Sequence, residues 1–174
     1  GSAPHLVAGP WGALHALYAV PANEGRGIYY TRSDDEGETW SPSVAVFDAG
    51  SAGWAAVDTP RLAIDGGQEG RGELHAVWVR AALSPDQPPQ GVYYARSGDG
   101  GQTWSEAQMA VEGAYAWPQV AVAAPGQVHQ LWSAAAGSRT WWHRRTDGAG
   151  WTRAEQVPGF GDVPGPVGLL ADGA

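Results

Sequence analysis

The sequence predicts an all-β protein built from repeated units of four short antiparallel strands. A strand that begins with proline recurs along the chain, and a strand with alternating apolar residues follows each complete copy, which is the period-two pattern of a half-buried strand. The chain also contains 26 Gly and 13 Pro, which is typical of short strands joined by tight turns.

The four strands of each unit are assigned in order. The proline-led first strand occupies 4–8, 60–64, 118–122 and 166–170, and the second occupies 14–18, 74–78 and 128–132. The aromatic-rich third strand occupies 28–30, 92–94 and 140–142, and the fourth occupies 43–47, 107–111 and 154–157. The repeat therefore predicts three complete units and the first strand of a fourth.

A short polar motif connects the third strand to the fourth. It reads Ser33-Asp34-Asp35-Glu36-Gly37-Glu38-Thr39-Trp40 in the first unit and Ser97-Gly98-Asp99-Gly100-Gly101-Gln102-Thr103-Trp104 in the second. The third copy is Arg145-Thr146-Asp147-Gly148-Ala149-Gly150-Trp151, which lacks the Ser and the Thr and is one residue shorter. These segments resemble the Asp-box, or BNR repeat, of sialidases and related β-propeller proteins.

The resemblance implies a partial β-propeller that covers essentially the whole chain. Its four-stranded antiparallel blades are expected at about 3–50, 57–113 and 116–160, with the first strand of a fourth blade at about 164–174. Closed propellers carry about 4 to 8 blades. We therefore expect the open ends to be closed either by the rest of a longer chain or by a second copy.

The Asp-box residues are predicted to be structural. An Asp accepts hydrogen bonds from the amides of its own turn, Gly supplies a positive φ, and Trp packs back into its blade. The residues concerned are Asp35, Gly37, Trp40, Asp99, Gly101, Trp104, Asp147 and Trp151. We expect Trp40 and Trp104 to be core residues, and the resemblance places the hairpins on the rim. The alternative interpretation makes the three aspartates catalytic groups or calcium ligands.

Charge and composition exclude several classes of partner. The formal net charge is −8, which disfavours nucleic acid and anionic membranes as partners. The chain has no Cys, and no stretch has the length of apolar residues that a membrane-spanning helix needs. The family resemblance favours an extracellular or cell-surface protein.

The histidines do not predict a metal site. His15, His75 and His129 occupy the same position in successive units, and equivalent positions of a propeller lie far apart. His5 and His143 lack the close spacing of metal ligands. We expect neither a metal nor another cofactor.

The sequence leaves enzymatic activity open. Resemblance to sialidases implies a Tyr nucleophile with a Glu partner, an Asp acid/base and three Arg that bind the substrate carboxylate. The family's first Arg belongs to a Phe/Tyr-Arg-Ile-Pro type of segment, and the nearest counterpart is Pro60-Arg61-Leu62. The catalytic set is not recognisable in this chain.

Loops that lead into the innermost strands are the predicted ligand face. They carry Trp54, Asp58, Tyr115, Trp117 and Asp162, and Arg61 is expected on the channel wall with His5 and Gln119. We predict ligand binding by Trp54, Asp58, Arg61 and Trp117, since aromatic rings and carboxylates suit sugars; the alternative is that the Trp residues only pack their loops. The predicted function is a non-catalytic recognition propeller for a glycan or protein. The alternative function is a fragment of a sialidase-like exo-glycoside hydrolase.

Overall fold

The computed structural model describes residues 4–9, 12–66, 72–83, 91–113, 115–134, 140–147 and 149–158. These residues form twelve β-strands and no α-helix. The first sheet contains β1 (His5–Ala8), β2 (Leu14–Val20), β3 (Gly27–Ser33) and β4 (Val44–Asp48). The second contains β5 (Ala56–Ile64), β6 (Leu74–Ala81), β7 (Gly91–Ser97) and β8 (Gln108–Glu112). The third contains β9 (Tyr115–Ala124), β10 (Gln127–Ala134), β11 (Trp141–Arg145) and β12 (Glu155–Gln156).

Each sheet is an antiparallel meander in which sequential strands are neighbours. The prediction of three four-stranded antiparallel units is thereby confirmed. The strand expected at 164–174 and Asp162 lie outside the described residues. Within the described part, no helix is long and apolar enough to span a bilayer.

The first strands of the second and third sheets begin before the proline that was expected to start them. β5 begins at Ala56 and β9 at Tyr115, so Pro60 and Pro118 lie inside their strands. The ladder shifts register there: Asp58 pairs with Val79 and Arg61 with Val77, which leaves two residues opposite Trp78. This β-bulge accommodates a proline that has no N–H to give to the ladder.

The third sheet departs from the assignment made from the sequence. Trp132 pairs with Trp142, as Tyr18 pairs with Tyr29 in the first sheet. His143, and not Trp142, therefore occupies the position that Tyr30 holds. The expected strand 140–142 is displaced, because the aromatic pattern alone does not fix the register of a strand.

Apolar side chains fill the spaces between successive sheets. One core cluster joins the first and second sheets and includes Leu17, Ile28 and Leu62. Another joins the second and third sheets and includes Val77 and Val120. We call the side of a sheet that carries Leu6, Leu62 or Val120 its front face, because Leu62 and Val120 point at the preceding sheet.

The first two hairpins whose sequences resemble the Asp-box, called Asp-boxes below for that resemblance, have the same hydrogen-bond network. The Asp35 carboxylate accepts from the Thr39 amide at 2.8 Å, the Thr39 hydroxyl at 2.5 Å and the Ser33 hydroxyl at 2.8 Å. Asp99 accepts equivalent bonds from Thr103 and Ser97. These bonds, those from Thr first, lower the pKa of each carboxyl to about 2.

The third hairpin is shorter and simpler. The Arg145 amide donates a hydrogen bond to the hydroxyl of Thr152, 7 residues further along the chain. In the first hairpin the Arg32 amide donates the equivalent bond to the hydroxyl of Ser41, 9 residues further along. Thr146 therefore occupies the place of Ser33, and the hairpin is shortened by two residues rather than one. Asp147 accepts only from the amides of Ala149 and Gly150 among described residues.

The Asp-box Trp packs against the preceding sheet and not only within its own. The Trp104 ring meets Tyr30 edge-on at 5.6 Å, and the Trp151 ring meets Tyr94 at 5.2 Å. Trp40 belongs to the first sheet, where the described residues provide no preceding sheet, and it is 42% exposed. The expectation that Trp40 is a core residue is therefore wrong.

Candidate functional site

The Asp-boxes and the starts of β1, β5 and β9, the first strands of the sheets, lie at opposite ends of the sheets. Ser33 opens the first Asp-box and pairs with Leu14, which in turn pairs with Ala8 at the end of β1. In the second sheet, Ala56 begins β5 and pairs with Ala81 at the far end of β6. A site at the start of β5 is therefore remote from the Asp-boxes.

A cleft of about 240 Å³ lies at this end, between the starts of β5 and β9. Two of the four predicted ligand residues, Asp58 and Trp117, are in its wall. The lining residues are Asp58, Thr59, Val79, Ala81, Tyr115, Ala116 and Trp117. The cleft thus combines one carboxylate with two aromatic rings and small apolar side chains.

Both β5 and β9 have unusual backbone geometry where they border the cleft. Thr59 and Trp117 each precede a proline and have a φ of 49°. A positive φ is strained for a β-branched residue such as Thr, and a residue before proline normally adopts an extended conformation. Strained residues and bulges concentrate at functional sites. Sequence reasoning missed Thr59, although the repeated X-Pro position was visible.

The Asp58 carboxylate and the Trp117 ring are the groups of these two residues that a ligand in the cleft could contact. Asp58 Oδ1 accepts a hydrogen bond of 2.6 Å from the Thr59 amide. This is the hydrogen bond between the Asp58 carboxylate and the described residues. The Trp117 ring is half-buried and stacks on Trp141, with centroids 6.5 Å apart and planes at 24°. Tyr115 is also half-buried, with its ring edge-on to Trp132 at 6.5 Å.

Trp54 is placed in the core between the first and second sheets rather than in the cleft. Its centroid lies 4.3 Å from that of Phe47 and 4.4 Å from that of Tyr93, and it is 8% exposed. The Arg80 guanidinium lies 5.1 Å from the same ring. Trp54 therefore packs its loop against the core, which is the alternative role considered for it in the sequence.

Arg61 lies just beyond the cleft on β5. Its Nη1 donates to the Pro60 carbonyl at 2.8 Å, and burial lowers its pKa while the Asp58 carboxylate acts in the opposite direction. His5 and Gln119 occupy the equivalent positions, opposite Leu17 and Leu131 as Arg61 is opposite Val77. The predicted equivalence of these three positions is therefore confirmed.

The repeated histidines bond to a ring on the adjacent strand. His15 Nδ1 lies 2.7 Å from the Tyr30 hydroxyl, and His75 Nδ1 lies 2.8 Å from the Tyr94 hydroxyl. Burial lowers the pKa of His15 to about 4, with Arg32 adding to the effect, so its ring is neutral at pH 7. Among the described residues, no group of three or more His, Asp or Glu has an arrangement that would hold a metal ion.

Two other grooves lie at the Asp-box end. One of about 350 Å³ includes Arg32, whose guanidinium pairs with Asp34 at 2.5 Å. Another of about 520 Å³ includes Asp147, which accepts from the amides of its own turn. Both grooves are larger than the cleft, but the described lining of neither one combines a carboxylate with two aromatic rings, as Asp58, Tyr115 and Trp117 do in the cleft. The cleft is therefore the stronger candidate.

Comparison with known proteins assigns no family to the chain. No protein-family model and no curated protein matches the chain. One solved structure that matches is a crystal structure of a protein of unknown function from Dyadobacter fermentans DSM 18053. The two chains are 14% identical with a TM-score of 0.40, over 88% of this chain and 68% of that one.

Proposed function

We propose that the chain is part of an Asp-box β-propeller and that it acts as a non-catalytic recognition module for a glycan. The observation that carries the proposal is the cleft between β5 and β9, where Trp117 and Tyr115 face the same space as the Asp58 carboxylate. The repeated sheets and the two matching Asp-box networks support the architecture.

The chemistry of the cleft suits a sugar ring. The apolar face of a pyranose stacks on an aromatic side chain, and a carboxylate accepts hydrogen bonds from its hydroxyls. The volume of about 240 Å³ is below the roughly 300–1,000 Å³ of pockets for drug-sized ligands. The cleft therefore fits a single terminal or side-branch sugar better than an extended chain.

The residues of the cleft support binding rather than hydrolysis. Most glycoside hydrolases use two carboxyl groups on either side of the scissile bond. Among the described lining residues, Asp58 is the only carboxylate. The proposal therefore assigns recognition to this cleft and no bond cleavage.

A glycan array followed by calorimetric titration tests the proposal. The wild-type chain should retain at least one class of mono- or oligosaccharide, and Trp117→Ala should weaken its binding at least tenfold, or about 1.4 kcal/mol. Asp58→Asn should weaken it as well, because the carboxylate charge strengthens hydrogen bonds from hydroxyls.

Trp40→Ala is the matched control, since Trp40 is an exposed Trp at the opposite end of the sheets. Its affinity should equal that of the wild type. Absence of binding to every glycan, or equal affinity in the wild type and both cleft variants, would show the proposal to be wrong. Circular dichroism of each variant separates loss of binding from loss of fold.

A further inference from the structure

The Asp58 carboxylate has no cationic partner among the described residues. It is half-buried in the wall of the cleft between β5 and β9, where its Oδ1 accepts the Thr59 amide. Two ion pairs occur among the described residues, and Asp58 belongs to neither. A half-buried charge is costly to leave unpaired, so a positive group of a ligand would be favoured beside it.

The arginines around the second sheet are directed elsewhere. Arg61 interacts electrostatically with Asp58, but its Nη1 donates to the Pro60 carbonyl at 2.8 Å, and Arg61 is outside the described lining of the cleft. The Arg80 guanidinium lies 5.1 Å from the Trp54 ring, which belongs to the core between the first and second sheets. A ligand cation could therefore reach Asp58 without displacing an arginine from an ion pair.

The rest of the lining also favours a cation. Trp117 and Tyr115 supply aromatic rings, whose faces attract ammonium groups, and the other described lining side chains apart from Asp58 are uncharged. The chain has a net charge of −8, which attracts cations and repels anions. An acidic sugar would be repelled by Asp58, and a neutral sugar would leave its charge unpaired.

We propose that the sugar recognised by the cleft carries a free, protonated amino group. The inference rests on the proposed glycan-binding function and names the class of sugar. The ammonium group donates to the Asp58 carboxylate while the apolar face of the sugar ring stacks on Trp117. A hydrogen bond between charged groups is roughly twice as strong as one between neutral groups, so the amine is preferred to a hydroxyl or an N-acetyl group at the same position.

Calorimetric titration with monosaccharides tests the role of the amine. The probes are glucosamine, galactosamine and mannosamine, each compared with its N-acetyl form and with its parent sugar in a buffer that keeps the amine protonated. At least one amine should bind about fivefold more tightly than its N-acetyl form, the upper range for a partly exposed ion pair. This preference should shrink as salt is added, because salt screens the attraction between the two charges.

Two variants locate the preference. Asp58→Asn should remove it, so that the amine and its N-acetyl form bind alike. Asp34→Asn is the matched control, since it removes the same charge from a side chain that is 72% exposed at the Asp-box end, and it should keep the preference.

The outcomes separate this inference from the proposed function. Binding of neutral sugars that depends on Trp117, with no amine bound more tightly than its N-acetyl form, would overturn the inference and leave glycan recognition standing. A preference that survives in Asp58→Asn, or falls equally in Asp34→Asn, would overturn it as well. If the wild type binds none of these probes and no glycan on the array, the inference and the proposed function are both wrong.

Discussion

Tyr30 of the first sheet receives the second Asp-box. Its ring packs edge-on against Trp104 at 5.6 Å, and its hydroxyl donates to the Gly100 carbonyl at 3.2 Å. Burial raises the pKa of Tyr30 to about 12, so the hydroxyl keeps its proton at neutral pH. The second Asp-box therefore connects two neighbouring sheets and also forms a turn within its own sheet.

Removing the Trp of the second Asp-box should destabilise the protein far more than removing the Trp of the first. Loss of a buried aromatic side chain costs about 3 to 5 kcal/mol, and half-buried Trp104 should fall near the lower figure. Trp40→Ala should cost less than about 1 kcal/mol, because that ring is exposed. Urea unfolding at low protein concentration measures both, and equal losses would contradict the inter-sheet role of Trp104.

The two Asp-box glycines provide a second comparison. Gly37 and Gly101 have φ values of 95° and 92°, so alanine is strained at either position by about 1 to 3 kcal/mol. A Cβ at Gly101 would in addition overlap the Tyr30 ring, while one at Gly37 would lie 3.4 Å from Leu14 Cδ1. Gly101→Ala should therefore be clearly the more destabilising in thermal unfolding. Similar melting temperatures for the two variants would mean that Tyr30 yields to the added methyl group.

Stability should fall as the pH drops below about 6.5. Burial, as the largest cause, lowers the pKa of His5, His15, His75, His129 and His143 from the ordinary value of 6.5. The unfolded chain then binds more protons than the folded one, so stability is complete above pH 6.5 and is lost progressively toward pH 4 for His15.

Urea midpoints from pH 8 to pH 4 at constant salt measure this loss. His15→Gln should reduce the pH dependence, because it removes the group whose pKa is lowered to about 4. A midpoint that rises between pH 7 and pH 5 would contradict the burial of neutral histidines. The lowered pKa values of Asp35 and Asp99 make stability depend on pH only in a lower range, between pH 3.8 and about 2.

Thr59→Gly should stabilise the fold while it alters the cleft. Positive φ costs a residue with a side chain about 1 to 2 kcal/mol, and the buried Thr59 hydroxyl has no hydrogen-bond partner among the described residues. These gains exceed the cost of glycine, which destabilises the fold by roughly 0.4 to 1 kcal/mol because the unfolded chain gains conformational entropy. Thermal unfolding should show a higher midpoint, and a lower one would mean that Thr59 is not strained.

The sequence predicts the local features of this fold well. Alternating apolar residues and the polar motifs gave three four-stranded units and the hairpins that contain Asp35 and Asp99, because a strand or turn depends on residues close in sequence. Asp58 and Trp117 were predicted from their place in the loops that lead into β5 and β9, and both lie in the wall of the cleft; their binding of a ligand stays a prediction.

Features that depend on the neighbouring sheet could not be predicted in this way. Trp40 and Trp104 lie in similar local sequences, and their burial differs because Trp104 packs against Tyr30 and the core cluster between the first and second sheets. Trp54 was assigned to the ligand face because its loop leads into β5, yet Phe47 and Tyr93 enclose it. Contacts between residues distant in sequence decide such cases.

Fluorine NMR of the chain labelled with 5-fluorotryptophan tests the proposed glycan cleft most directly. The protein has 10 Trp, and substitution of each by Phe assigns its resonance. Addition of a glycan selected on the array should shift the Trp117 resonance, with a smaller effect on its stacking partner Trp141 and none on Trp40 or Trp54. A shift confined to Trp40, or no shift of Trp117 at saturating glycan, would contradict the assignment of this cleft as the recognition site.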